Sequence, residues 1–200
     1  MEFWNSEATD ASWEELLKLK RQVKFVLIGG WAVYIYTKLE KSKDIDIIVD
    51  YDSLKRLESI YPLSKNPKLL KYEIKTQKFD IDIYLPHYSK LAIPPEDLLK
   101  MTQSVEGFIL PTPEALLLLK VAAFNSRKDS IKGQKDLVDI LGLLLFSDLD
   151  RAKLTKLARD YSVDLNKLKD EIKRIDNDTL KYLKLNKHEL SKIKDRLILY

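Results

Sequence analysis

Two Asp-Ile-Asp triplets and one pair of glycines are the residues of this chain best suited to chemistry. Asp44-Ile45-Asp46-Ile47-Ile48-Val49 alternates as a strand does. A period of two places Asp44 and Asp46 on one face and Ile45, Ile47 and Val49 on the other. Like charges so close need an opposing charge, and a divalent metal ion is the commonest. A second alternating run sets Phe79, Ile81, Ile83 and Leu85 on one face and Asp80, Asp82 and Tyr84 on the other. Upstream, Gly29-Gly30 follows the apolar run Phe25-Val26-Leu27-Ile28 and precedes Trp31-Ala32-Val33-Tyr34-Ile35-Tyr36. That order reads as a buried strand, a tight turn and a helix start. Two missing Cβ atoms let a phosphate approach the backbone, and the first helical turn offers it unpaired N–H groups. There is no cysteine, and His87 and His188 are the only imidazoles. A metal would therefore be held by oxygen, which favours magnesium or manganese.

The elements that must position these residues follow from pattern and punctuation. Trp13, Leu16, Leu17 and Leu19 suit a helix over about 12–22, ahead of the strand at 25–28. Asp50-Tyr51-Asp52-Ser53 breaks the strand at 44–49 and caps a helix to Ile60, which Pro62 ends. Leu70, Tyr72 and Ile74 alternate as a strand that forms a hairpin with the run from Phe79. A short helix begins at Pro94-Pro95, and an extended segment spans Val105 to Leu110. Thr112-Pro113-Glu114 opens a helix to about Ser126 that is apolar nearly all round. After a polar link with Gly133, a further helix spans about Gln134 to Phe146. Short amphipathic helices then run to the end, broken near Ser162-Val163-Asp164, Asn177-Asp178 and Asn186.

Lys120 stands among leucines, where an ammonium is costly unless it reaches an anion, so phosphate or an active-site carboxylate is a reasonable target; the bland alternative is snorkelling to the surface. Lys135 is a second candidate for phosphate. Asp136 and Asp139 suit pairing with Arg127 better than metal binding. Trp31, Tyr34 and Tyr36 could stack a base but read better as core, and His87 reads as a loop residue.

The combination of diglycine, helix, Asp-hydrophobic-Asp on one strand and a further Asp on a later strand resembles the DNA polymerase β-like nucleotidyltransferase superfamily. Over residues 23–146 it is most similar to the small prokaryotic branch that includes AbiEii-type abortive-infection toxins. The resemblance implies a nucleotidyltransferase core with a short mixed sheet and flanking helices over residues 1–111, followed by a helical region over 112–200. It implies transfer of a nucleoside monophosphate from a nucleoside triphosphate such as ATP to an acceptor, with two Mg2+ or Mn2+ ions and release of pyrophosphate. Asp44, Asp46 and a third acid would hold the metals. Asp82 is preferred for the third, since it precedes a few apolar residues and a loop, with Asp80 as the alternate. Relatives often carry Gly-Ser where this chain has Gly29-Gly30, so backbone N–H groups would meet the triphosphate. They often carry Arg where this chain has Glu40, a contact that Lys41 or Lys43 could replace. Relatives also place a Lys on one helix and a Lys/Arg-Asp-x-x-Asp run on the next, matched here by Lys120 and by Lys135-Asp136-Leu137-Val138-Asp139.

At 200 residues and 45% hydrophobic the chain can bury one substantial core. It lacks both a membrane-length apolar run and a signal-like start, so a cytoplasmic protein is expected. Net charge is +4, and the surplus lies in residues 151–200, which hold 14 Lys+Arg against 8 Asp+Glu. That tail suits a polyanion such as RNA or tRNA, or simply a solvated helical surface. A protein partner, as in a toxin–antitoxin pair, is the remaining expectation, and a nucleotide-binding module without turnover is the alternative function.

Overall fold

The structure, a computed structural model, describes residues 5–175, 180 and 185–198. It divides into two compact units, one ending at Thr112 and the other starting at Pro113. Among the described residues no helix is long and apolar enough to cross a membrane.

The first unit runs α1 (Ser6–Gln22), β1 (Val26–Ile28), α2 (Gly29–Thr37), β2 (Ile45–Ile48), α3 (Tyr51–Ile60), β3 (Leu63–Asn66), β4 (Lys71–Lys75), β5 (Asp80–Tyr84), α4 (Pro95–Leu98), β6 (Thr102–Val105) and β7 (Phe108–Pro111). Strands β1 to β5 form one mixed sheet in the order β1-β2-β5-β4-β3, and β6-β7 form a separate ribbon. Only β2 and β5 pair in parallel; β1-β2, β5-β4 and β4-β3 are antiparallel. The expected α/β class, with a short mixed sheet and flanking helices, is what forms.

Period-two patterning builds the sheet's two faces. Ile45 pairs with Ile81, Ile47 with both Leu27 and Ile83, and Ile74 with Ile81, giving an apolar face whose isoleucines are fully or almost fully buried. Burying such side chains stabilises the fold by about 1.5–3 kcal/mol each. Helices α1 and α2 are tied by Trp31, whose indole N–H donates to Ser12 Oγ at 2.9 Å; Ser12 donates in turn toward Ser42 O at 3.3 Å. Both side chains are completely buried, and the Trp13 ring lies 4.9 Å from that of Trp31.

Several bounds differ from those read in the sequence, each for a physical reason. Helix α1 starts at Ser6 because Asn5 caps it, its Oδ1 accepting from Glu7 N at 2.8 Å. Strand β3, Leu-Ser-Lys-Asn, has no apolar alternation; it lies at the sheet edge and pairs on one side only, with β4. The extended segment near Val105 is a two-stranded hairpin closed by Glu106-Gly107, both at positive φ.

The second unit is helical: α5 (Pro113–Arg127), α6 (Ile131–Phe146), α7 (Arg151–Asp160), α8 (Asn166–Lys173) and α9 (Lys187–Ile198) among the described residues. Helix α6 begins before Gly133, not after it. Ser130 caps it by accepting from Gly133 N at 3.0 Å, and a Cβ at Gly133 would fall 2.1 Å from Arg127 O. Leu116, Leu118, Val121, Ile140, Leu144, Leu168 and Ile193 fill its core. The helix breaks near 162–164 and at Asn186 occur, while the one at 177–178 lies outside the described residues.

Candidate functional site

The parallel pairing of β2 with β5 brings the two Asp-Ile-Asp triplets side by side. Asp46 stands directly beside Asp82, and Asp82 directly beside Glu73 of β4, so three carboxylates share one row and one face of the sheet. One step along, Asp44 Oδ1 accepts from Asp80 N at 3.2 Å. The register therefore sets Asp82 rather than Asp80 beside Asp46.

The diglycine bend meets this row at its β1 end, where Ile28 pairs with Asp46. Gly29 has φ +67, and a Cβ there would lie 2.1 Å from Asp46 Oδ2 and 2.8 Å from Asp46 Cβ. Only glycine can take that conformation and leave the carboxylate its space. Gly30 makes room for Ser42, since its Cβ would fall 2.5 Å from Ser42 Oγ, and that hydroxyl donates to Asp44 O at 3.0 Å. The two glycines thus shape the approach of both aspartates. Asp46 Oδ1 also accepts from Tyr84 Oη at 3.4 Å. Lys43 lies half-buried in the loop just before β2.

Sequence reasoning found the strand β4 but passed over Lys71, Glu73 and Lys75, and the two lysines supply cations to this face. Lys71 Nζ donates to Asp82 Oδ2 at 2.6 Å and lies 2.9 Å from Glu73 Oε1, with its side chain 11% exposed. Lys75 Nζ lies 3.0 Å from Asp80 Oδ2 and 3.7 Å from Glu73 Oε2. Lys71-x-Glu73-x-Lys75 is complementary to Asp80-x-Asp82 across the hairpin, a pattern visible in the sequence once the two strands are aligned. Burial alone would lower the Lys71 ammonium, but its bonds to Asp82 and Glu73 outweigh this and hold it above the ordinary lysine value. Burial is the largest influence on Asp82 and raises its carboxyl, with Lys71 opposing. Burial works against the Glu73 charge too, yet Lys71 and Asn66 keep it below the usual carboxylate range. Breaking a buried pair of this kind by removing one partner costs about 3–5 kcal/mol.

The donor set of Asp44 and Asp46, two carboxylates two residues apart, fits a hard divalent ion, and the Asp46 carboxylate lies beside a backbone cradle that a Cβ would fill. Among the described residues no three acidic or histidine side chains converge into a ready-made metal group. Asp82, the expected third acid, accepts from Lys71 Nζ. A divalent ion about 4 Å from that ammonium would be repelled by about 8 kcal/mol at an effective dielectric of ~20.

In the second unit, Lys120 is buried rather than snorkelling. Its Nζ donates to Asp136 Oδ1 at 3.3 Å and lies 2.8 Å from Asp139 Oδ2, close enough for an ion pair but not aligned for a hydrogen bond. Lys135 bonds Asp139 one turn along α6, and Arg127 Nε donates to Asp136 Oδ2 at 2.8 Å, the pairing expected for Asp136. Both aspartate side chains are only 2% exposed. Trp31 is core, as expected. Tyr36 Oη donates to Pro111 O at 2.8 Å, and His87 lies exposed near Glu96.

No family model matches the sequence, and no curated protein matches it. Solved structures do. An antigenic nucleotidyltransferase-like protein from Paracoccidioides brasiliensis superposes with a TM-score of 0.53 at 16% identity, over 90% of this chain and 93% of that one. JHP933 from Helicobacter pylori does so with a TM-score of 0.54 at 18% identity, over 98% and 92%. The antibiotic-resistance factor ANT(2'')-Ia gives 0.52 at 13% identity, over 82% and 93%. The likeness shows the fold, which is nucleotidyltransferase-like; it does not single out the AbiEii-type branch.

Proposed function

We propose that this chain is a magnesium- or manganese-dependent nucleotidyltransferase that moves a nucleoside monophosphate from a nucleoside triphosphate to a hydroxyl acceptor. The observation that carries the reading is the Asp44/Asp46 pair set against Gly29 on a nucleotidyltransferase-like fold. Asp44 and Asp46 hold the divalent ion, which when bound neutralises charge developing on the phosphates. The backbone at Gly29 and Gly30 receives the triphosphate, with Lys43 as a further contact. The acceptor oxygen forms a bond to the α-phosphorus, the bond to the β-phosphate bridging oxygen breaks, and pyrophosphate leaves with the electron pair. The hydroxyl proton passes to a carboxylate of the same face, for which Asp82, beside Asp46, is the candidate and Asp80 the alternate. Lys120 and Lys135 are the candidates for phosphate contact in the helical unit, where a phosphate would exchange with Asp136 or Asp139.

The acceptor that charge favours is RNA, tRNA above all, drawn by the basic surplus of residues 151–200; a protein hydroxyl is the other candidate. Kinship with the AbiEii-type branch, cytoplasmic action as a toxin and control by an antitoxin protein belong to the same reading. The test incubates the chain with each labelled triphosphate, Mg2+ or Mn2+, and total RNA or cell protein. Label transfer by the wild type that Asp44→Ala/Asp46→Ala abolishes is expected; transfer that survives the double substitution refutes the site. A second reading, a nucleotide-binding module without turnover, is favoured by the Lys71–Asp82 bond. It would show triphosphate-dependent thermal stabilisation without pyrophosphate release.

A further inference from the structure

We infer that the Lys71 ammonium is a fixed cation built into the carboxylate face, so that the site takes one divalent ion, on Asp44 and Asp46, instead of two. The inference rests on the nucleotidyltransfer reading and concerns how its charges are balanced.

Three observations support it. Lys71 and Glu73 are two residues apart on β4 and so share the face that bears Asp46 and Asp82. The Lys71 stem is enclosed, and its ammonium bridges Asp82 and Glu73 at 2.6 and 2.9 Å. Those two carboxylates are directly opposite each other across the β4-β5 ladder. Withdrawing the lysine would leave like charges facing one another, which destabilises such a ladder. A metal ion arriving at Asp82 would therefore have to displace Lys71 and also take over Glu73. Lys75, an exposed lysine 3.0 Å from Asp80 Oδ2 and 3.7 Å from Glu73 Oε2, adds a second positive charge beside the same acids. The enclosed Lys71 thus commits Asp82 to an ammonium partner. Asp46 is on the neighbouring strand and Asp44 in the bend just before it, and Asp46 lies against the Gly29 turn.

The test counts ions instead of turnover. Full-length protein is loaded with Mn2+ and an α,β-methylene analogue of ATP, and the Mn2+ electron paramagnetic resonance spectrum is recorded. The wild type is expected to show an isolated ion and no spin coupling, and Lys71→Arg the same. Lys71→Met should show the broadened spectrum of two neighbouring ions. Coupled ions in the wild type, or a folded Lys71→Met that still holds one ion, overturn the inference and leave nucleotidyl transfer standing. Should Lys71→Met not fold, Asp82→Asn decides. Mn2+ affinity within about threefold of wild type supports a single ion on Asp44 and Asp46, and a loss of about tenfold or more makes Asp82 a ligand and overturns the inference. A wild type that holds no Mn2+ beside the analogue defeats the functional reading itself, and this inference with it.

Discussion

Replacing Gly29 with alanine tests the central geometry of the site. The new Cβ meets two separate obstacles. The backbone sits at φ +67, which for a residue with a Cβ costs about 1–3 kcal/mol. The methyl would also fall 2.1 Å from Asp46 Oδ2 and 2.7 Å from its Cγ, so the carboxylate must leave its place. Taking about 2 kcal/mol for the backbone part, the Tm should fall by about 4–8 °C for a chain of this size. Mn2+ binding should weaken by about 10–100-fold, the scale seen when the support of a ligand is disturbed. The two parts separate in a double-mutant cycle with Asp46→Ala, which removes Oδ2 and Cγ but keeps the Cβ contact at 2.8 Å. Chemical denaturation of the four variants should give a coupling of about 1 kcal/mol or more, Gly29→Ala costing less where Asp46 is already truncated. Additivity within about 0.3–0.5 kcal/mol, or unchanged Mn2+ affinity in Gly29→Ala, would refute the idea that this glycine exists to seat the Asp46 carboxylate.

Other outcomes follow from the same geometry. Ser12→Ala leaves the buried Trp31 indole N–H without its acceptor and should cost about 1–3 kcal/mol in denaturation followed by tryptophan fluorescence. Lys120→Met strips a cation from two buried carboxylates and should cost about 3 kcal/mol; Lys120→Arg should recover part of it if charge is what matters. Glu73 has a folded pKa below its ordinary 4.5, so its contribution is complete above that value and disappears as pH falls through the folded one; Glu73→Gln should flatten this part of the acid unfolding curve. Lys71 behaves in the opposite sense. Its folded pKa exceeds the ordinary 10.5, so its stabilisation is present below that value and is lost as pH climbs through the folded one, a loss that Lys71→Met should abolish.

Much of the carboxylate face was legible because its signals are local. Asp-Ile-Asp twice at period two, with a diglycine after an apolar run, marks strands and a bend with no knowledge of what pairs with what. The residues that escaped are those whose meaning depends on pairing. Lys71 and Lys75 look like ordinary surface lysines until β4 is laid antiparallel to β5, and Glu73 acquires a role only through the row it shares with Asp82 and Asp46. Strand β3 escaped because an edge strand with one neighbour has no need of apolar alternation. The start of α6 was misplaced because Gly133 reads as a breaker, whereas it is demanded by the closeness of the Arg127 carbonyl. Lys120 was correctly singled out as needing an anion, and its sequence neighbourhood of leucines could not say which carboxylate would meet it.

The repeated triplet leaves one quantity unspecified by the strands that carry it. Slide β5 by two residues along β2 and Ile81 comes to face Ile47 while Asp80 comes abreast of Asp46, so like still meets like at those two positions. Against β4 the register of β5 is held by the short connection between them, where Thr76 N donates to Phe79 O at 3.1 Å and Phe79 N to Thr76 Oγ1 at 3.0 Å. That connection acts as the vernier that chooses which acid of β5 stands opposite Glu73. Lengthening or trimming it by a pair of residues would exchange one acid for its twin while sparing the hydrophobic side, a route by which descendants of this chain could retune their chemistry without redesigning a strand.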